Sequence, residues 1–100
     1  MNAAERLWRG LARHDWEAVR AQFHPSAVVE RANDGARLDV EEYIAAHRVA
    51  AASGEDAIEV LRSVVDGKAA VIEARAGEQR CAGIYDLHDG RIAGAIEYWA

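Results

Sequence analysis

A chain of 100 residues with 51% hydrophobic and 29% charged residues has the profile of one soluble globular domain with a small core, and excludes a disordered or fibrous protein. The formal charge of −5, the single Lys68 and the scattered arginines exclude nucleic acid as a partner, because a phosphate-binding surface needs clustered basic residues. The lone Cys81 excludes an intramolecular disulfide, and no apolar run is long enough to cross a bilayer, so a reducing cytoplasm away from membranes is the expected home.

Along the chain, Asn2 and Glu5 have the spacing of a helix-capping box, and a first helix is expected from Ala3 to Arg13. Ala4, Leu7, Trp8 and Leu11 share its apolar face. Asp15 caps a short second helix on which Trp16, Val19 and Phe23 repeat the pattern, and Pro25 ends it. A strand follows from Ala27 to Ala32, then a turn at Asn33-Asp34-Gly35. Asp39 and Glu42 form a second capping signature for a third helix reaching Ala52.

After Ser53-Gly54 the pattern changes from helical spacing to period two. Strands are expected over Ala57–Val65, Lys68–Ala76, Arg80–His88 and Arg91–Trp99, separated by Asp66-Gly67, Gly77-Glu78 and Asp89-Gly90. Asp-Gly supplies the positive φ angles of a tight hairpin, so these strands form an antiparallel meander. Helices first and a meander last imply an α+β domain in which helices cover one face of a curved sheet.

The run from Asp15 to Glu30, with Phe23-His24-Pro25-Ser26-Ala27-Val28-Val29-Glu30 at its end, and the ending Asp89-Gly90-Arg91-Ile92 to Glu97-Tyr98-Trp99 resemble the SnoaL-like branch of the nuclear transport factor 2-like superfamily. The resemblance spans nearly the whole chain as a single domain, residues 1–100. It implies a cone-shaped antiparallel or mixed sheet wrapped around three helices, a hydrophobic cavity, and a homodimer formed through the outer sheet face. The family holds isomerases, cyclases, epoxide hydrolases and dehydratases, so fold alone does not fix function.

Position by position, the family's catalytic groups are missing. The places that the resemblance gives to a catalytic Asp, a helix Tyr, a strand Arg and a strand acid are occupied by Arg31, Leu7, Cys81 and Gly83; only a late acid, Glu97, remains. Steroid isomerisation and epoxide hydrolysis by the family's known residue sets are thereby excluded, and whether the chain is an enzyme stays open.

Period two places Cys81, Gly83, Tyr85 and Leu87 on one strand face, which the resemblance makes the cavity side. Trp8, Trp16, Phe23 and Tyr43 from the helices would complete a wall around a small apolar ligand. Tyr85 offers a hydrogen-bond donor or plain cavity wall. Glu97 is either a general base with a raised pKa or the partner of an arginine such as Arg31 or Arg75. His47, on the apolar side of the third helix, is a core residue or, with Tyr43 and Glu97, part of an acid-base set. Cys81 is a small apolar residue unless a base activates it. His14, His24 and His88 sit at turns, and no spacing of metal ligands or signature of a cofactor occurs.

Glu73, Arg75 and Arg62 are expected to form an ion-pair ladder on the outer face. Trp8 and Trp16 should fasten the helices to the sheet, and Trp99 is a candidate interface anchor. Two readings follow: a protein that binds a small apolar molecule, with isomerase, hydrolase or lyase chemistry open to it, or a non-catalytic dimerisation or interaction module whose cavity is filled.

Overall fold

Both capping signatures do what their spacing promises in the computed structural model, which describes all residues from Met1 to Ala100. The Asn2 side chain accepts from the Glu5 amide at 2.9 Å while the Glu5 carboxylate accepts from the Asn2 amide at 2.9 Å, opening α1 (Ala3–Arg13). Asp39 and Glu42 repeat the exchange at 2.8 and 2.9 Å to open α3 (Val40–Ala52). Asp15 caps α2 (Trp16–Ala21) through the Ala18 amide. Each cap satisfies amides that a helix start leaves free, which is why three helices begin where they do.

The sheet has six strands: β1 (Val28–Arg31), β2 (Ala36–Asp39), β3 (Ile58–Asp66), β4 (Ala69–Ala76), β5 (Gln79–His88) and β6 (Arg91–Trp99), in the order β2-β1-β6-β5-β4-β3. The meander β3 to β6 is antiparallel as expected. β2 was not expected: it is four residues long, and its last residue, Asp39, is also the cap of α3, so the cap signal hid the strand. β1 lies parallel to β6, pairing Val29 with Ala95 and Arg31 with Glu97, so the sheet is mixed. The parallel contact continues below β1, where the Ile92 amide donates to the Gln22 carbonyl and the His24 amide to the Ile92 carbonyl.

Alternation sorts the two faces. Ala70, Ile72 and Ala74 of β4, Cys81 and Tyr85 of β5, and Ile92 of β6 face the helices and are buried with Leu7, Trp8, Leu11, Val19, Phe23, Tyr43 and Ile44. Bulges at Leu61 in β3 and at Ala93 in β6, opposite Asp86 and Leu87, bend the sheet around this core. Leu87, just past the second bulge, packs against the edge of the core.

The outer face carries the expected ladder: Arg62 and Arg80 reach Glu73 at 3.1 and 3.5 Å, and Arg75 reaches Glu59 at 3.0 Å. These pairs are largely solvated and contribute little to stability. Beside them, register lines up Val64, Val71, Ile84 and Ile96 across β3, β4, β5 and β6 as one apolar row.

Trp8 fastens α1 to the sheet as expected. Trp16 packs half-buried against the core, stacks on His14 at a centroid distance of 5.7 Å and lies under the Arg48 guanidinium, so that it also joins helices to one another. His14 is therefore no free turn residue, since its ring also meets the Asp56 carboxylate at 3.0 Å. Trp99, expected at an interface, has partners within the domain. Two residues after the inward-facing Glu97, it shares that strand face and packs 6.1 Å from Trp8.

The segment between α3 and β3 is held by a close backbone approach. Gly77 has φ 60° and its amide donates to the Ala57 carbonyl, while a β-carbon on Gly77 would sit 2.0 Å from the Glu55 carbonyl oxygen. Gly67 has a similar φ of 59° but open space around it. Gly67→Ala should therefore cost only the left-handed strain of about 1 kcal/mol, and Gly77→Ala roughly 3 kcal/mol or more because backbone must also move. Urea unfolding of the two variants side by side measures the difference; equal losses would contradict the clash.

Candidate functional site

Tyr85 and Gly83 explain each other. Both point inward from β5, and a β-carbon on Gly83 would lie 2.2 Å from the Tyr85 hydroxyl. Without a side chain at 83, the phenol folds back over that position and its hydroxyl reaches across to Glu97 on β6, whose backbone is the register partner of Gly83. The hydroxyl donates to Glu97 Oε2 at 2.6 Å.

Two more donors close around the same carboxyl. Tyr43 of α3 donates its hydroxyl to Oε2 at 3.0 Å, and Trp99 donates its indole N–H to Oε1 at 3.2 Å. Behind Tyr85, the indole N–H of Trp8 donates to the phenol oxygen at 2.8 Å. Indole can only donate, so Trp8 fixes the phenol oxygen as its acceptor and leaves the Tyr85 proton directed at Glu97. The network thus has one polarity, from two tryptophans and two tyrosines toward one carboxyl that is 2% exposed.

No arginine takes part. Arg31 forks onto Asp34, with its closest contact at 2.9 Å, and Arg75 pairs with Glu59, so the expected Arg–Glu97 alternative is replaced by neutral donors. Burial raises the Glu97 pKa above the ordinary carboxyl value, and the bonds from Tyr85, Tyr43 and Trp99 partly oppose that rise. Burial first and the Glu97 charge second push both tyrosine hydroxyls well above 10, which keeps them as donors. Burial also drives the Cys81 thiol far up, so Cys81 is an inert core residue and no nucleophile.

Glu97 lies at the floor of a cleft of about 390 Å³ between α3, the β1–β2 hairpin, the end of β6 and the segment after α3. Val29, Leu38, Ala46, Ala50 and Ala76 form apolar wall; Tyr43, His47 and Trp99 supply rings; Arg31, Asn33, Glu55, Asp56 and Gln79 surround the rest. Asn33 holds Trp99 in place from the β1–β2 turn by accepting from its amide at 2.8 Å and donating to its carbonyl.

Of the residues expected at a site, the cleft gathers Glu97, His47 and Tyr43. Tyr85 stands one layer below, fully buried behind the carboxyl. Trp8, Phe23, Cys81 and Gly83 lie in the filled core beneath the cleft, Leu87 at the far end of β5, and Trp16, half-buried against the core, away from the cleft. The central volume expected to be cavity is occupied by aromatic side chains, and the open space is displaced toward α3. The sequence reading missed Trp99, Leu38, Asn33 and Asp56. Trp99 was within reach of it, because residues 97 and 99 share a face at period two.

The comparisons agree with this architecture. The family model described as a SnoaL-like domain matches residues 4–95. Among solved structures, a SnoaL-like protein of unknown function from Burkholderia thailandensis superposes with a TM-score of 0.82 at 16% identity, covering 97% of this chain and 91% of that one. IdmH, a candidate polyketide cyclase from Streptomyces antibioticus, gives 0.82 at 15% identity over 97% and 88%. A limonene epoxide hydrolase-like epoxide hydrolase of M. tuberculosis gives 0.72 at 22% identity over 98% and 80%. At such identities the likeness is one of fold. No curated protein sequence matches the chain significantly.

His47 gives the site a measurable signature. Its ring lies 4.7 Å from that of Tyr43, 6.2 Å from Trp99 and 6.4 Å from Trp8, and burial lowers its pKa from 6.5 to about 4. The unfolded chain takes up this proton near pH 6.5 and the folded one only near pH 4, so the stability tied to neutral His47 is complete above 6.5 and is lost as pH falls toward 4. The loss should amount to about 3 kcal/mol. Comparing urea midpoints against pH for the wild type and His47→Leu reads it directly: the variant's curve should be flatter through that window, and parallel curves would refute a buried neutral imidazole.

Proposed function

The chain belongs to the SnoaL-like domain family, and we propose that, as one such domain, it binds a small, mostly apolar molecule in the cleft beside α3, with Glu97 as the group that orients it and accepts a proton from it. The observation that carries this reading is the Glu97 carboxyl: buried, raised in pKa, surrounded by neutral donors, and set at the floor of an apolar cleft. A carboxylate so placed is a stronger base than one in water, and its fixed donors orient its lone pairs before any substrate arrives. The cleft falls at the small end of the range for ligand sites. Neighbouring folds include a candidate polyketide cyclase and an epoxide hydrolase, whose names supply the class of reaction to be tested. His47 and Tyr43 add polar tips beside Glu97, while Arg31, Asn33, Glu55, Asp56 and Gln79 surround the opening, and the apolar wall selects for the body of the ligand.

The test is a titration with the neutral probe 2-phenylethanol followed by amide and indole NMR shifts. Perturbations should gather at Val29, Tyr43, His47 and the Trp99 indole and spare Trp16; Ala46→Trp, which fills the cleft from α3 without touching Glu97, should abolish them. Shifts scattered elsewhere, or unaltered by Ala46→Trp, would reject the cleft as a binding site and favour the module with a filled interior.

The same reading includes a homodimer through the outer sheet face. What supports it is the apolar row, in which Val64, Val71 and Ile84 are 55%, 42% and 40% exposed, with Tyr98 beside them at 49%. Such a continuous row on a sheet face is unusual for a monomer. Light scattering should find a dimer in the wild type and a monomer in Ile84→Glu; a monomeric wild type at high micromolar concentration would remove this part of the proposal.

A further inference from the structure

The hydrogen-bonding capacity left unfilled in the cleft is lopsided. Four of its donors are engaged within the protein, the Tyr43 hydroxyl and Trp99 indole on Glu97, the Asn33 amide on the Trp99 carbonyl and the Arg31 guanidinium on Asp34, which leaves the uncharged Gln79 amide and His47 ring as the free ones. Its acceptors are in surplus. Glu97, Glu55 and Asp56 present three carboxylates against the single guanidinium of Arg31, whose charge Asp34 already offsets. Asp56 shares one contact with His14, and Glu97 has no cation at all.

A buried carboxylate held by neutral donors alone is stabilised by their dipoles yet lacks a counter-charge, which is costly where water cannot screen it. An anionic ligand would add to that cost. A neutral carbonyl would leave the excess of negative charge uncompensated. Two aromatic rings, Trp99 and Tyr43, line the same space, and ring faces attract cations. Neutral His47 adds no opposing charge at physiological pH.

We propose that the ligand of this cleft is an organic ammonium ion, a protonated amine on a small apolar body, with its nitrogen directed at the Glu97 carboxylate and its hydrocarbon against Val29, Leu38 and Ala46. The proposal rests on the cleft being the small-molecule site and adds the chemical class. The ammonium supplies the missing positive charge and N–H donors, and Glu55 and Asp56 at the cleft draw cations toward it.

The experiment compares 2-phenylethylammonium with 2-phenylethanol, which share a skeleton and differ in charge, by NMR titration at pH 7. The ammonium should bind roughly ten- to hundredfold more tightly, the range expected for a hydrogen bond to a charged group. Glu97→Gln should bring the two affinities to within about threefold of each other. In the unaltered protein the Glu97 side-chain carboxyl carbon should shift on adding the ammonium and stay put with the alcohol, which keeps the test valid if Glu97→Gln does not fold. Equal affinities, tighter binding of the alcohol, or a preference that survives Glu97→Gln would overturn the ammonium assignment while leaving the cleft as a binding site. If neither compound binds there, both this assignment and the binding function fall.

Discussion

Four elements meet at one buried carboxyl. Glu97 comes from β6, Tyr85 from β5, Tyr43 from α3, and Trp8 of α1 stands behind Tyr85. Taking a carboxylate out of water costs several kcal/mol even after relaxation. Three charge-assisted bonds at about 1.5 to 3 kcal/mol each are of the same size. The group is therefore roughly neutral for stability, and its consequence is specificity of arrangement: any shift of α1 or α3 along the sheet breaks a bond to the carboxyl or to the phenol behind it and leaves a buried polar group unpaired.

Gly83 shows how this arrangement substitutes for the family's acids. The strand position to which the sequence resemblance assigns a carboxylic acid carries no side chain here, and the Tyr85 hydroxyl fills the space instead. The polar tip arrives from two residues farther along the same strand, with a whole aromatic ring to bury on the way. Leu7 is a fully buried core residue, and Arg31 faces Asp34. The buried polar network of this chain thus gathers on the last strand and the residues that touch it, within a frame of the family's shape.

Local chemistry made most of the frame legible. Capping boxes at Asn2 and Asp39 and the Asp-Gly turns each act within a few residues, so they can be read from the chain alone. β2 escaped because its four residues end on a cap, and the parallel pairing of β1 with β6 escaped because it joins segments some sixty residues apart with no local signal. The site was half legible for the same reason. Alternation placed Glu97, Gly83 and Tyr85 inward, but which ring would fill the interior and which would bound open space depends on packing between α3 and the β1–β2 hairpin. Trp99 was misread because a terminal aromatic was treated as spare, when its parity with Glu97 already pointed it inward.

The displacement of open space toward α3 follows from how the interior is filled. Trp8, Phe23 and Tyr85 are large and occupy the wide part of the cone, whereas α3 presents Ala46 and Ala50 toward the sheet. Small residues on that helix cannot close the gap to Val29 and Leu38, so a cleft persists where a bulkier helix would have sealed it. The same two alanines leave Glu97 covered by rings at its sides and by no aliphatic roof above. A carboxyl placed there is dry enough to have a raised pKa and still borders the one cleft from which a ligand could reach it, which is the combination that stability alone would not select.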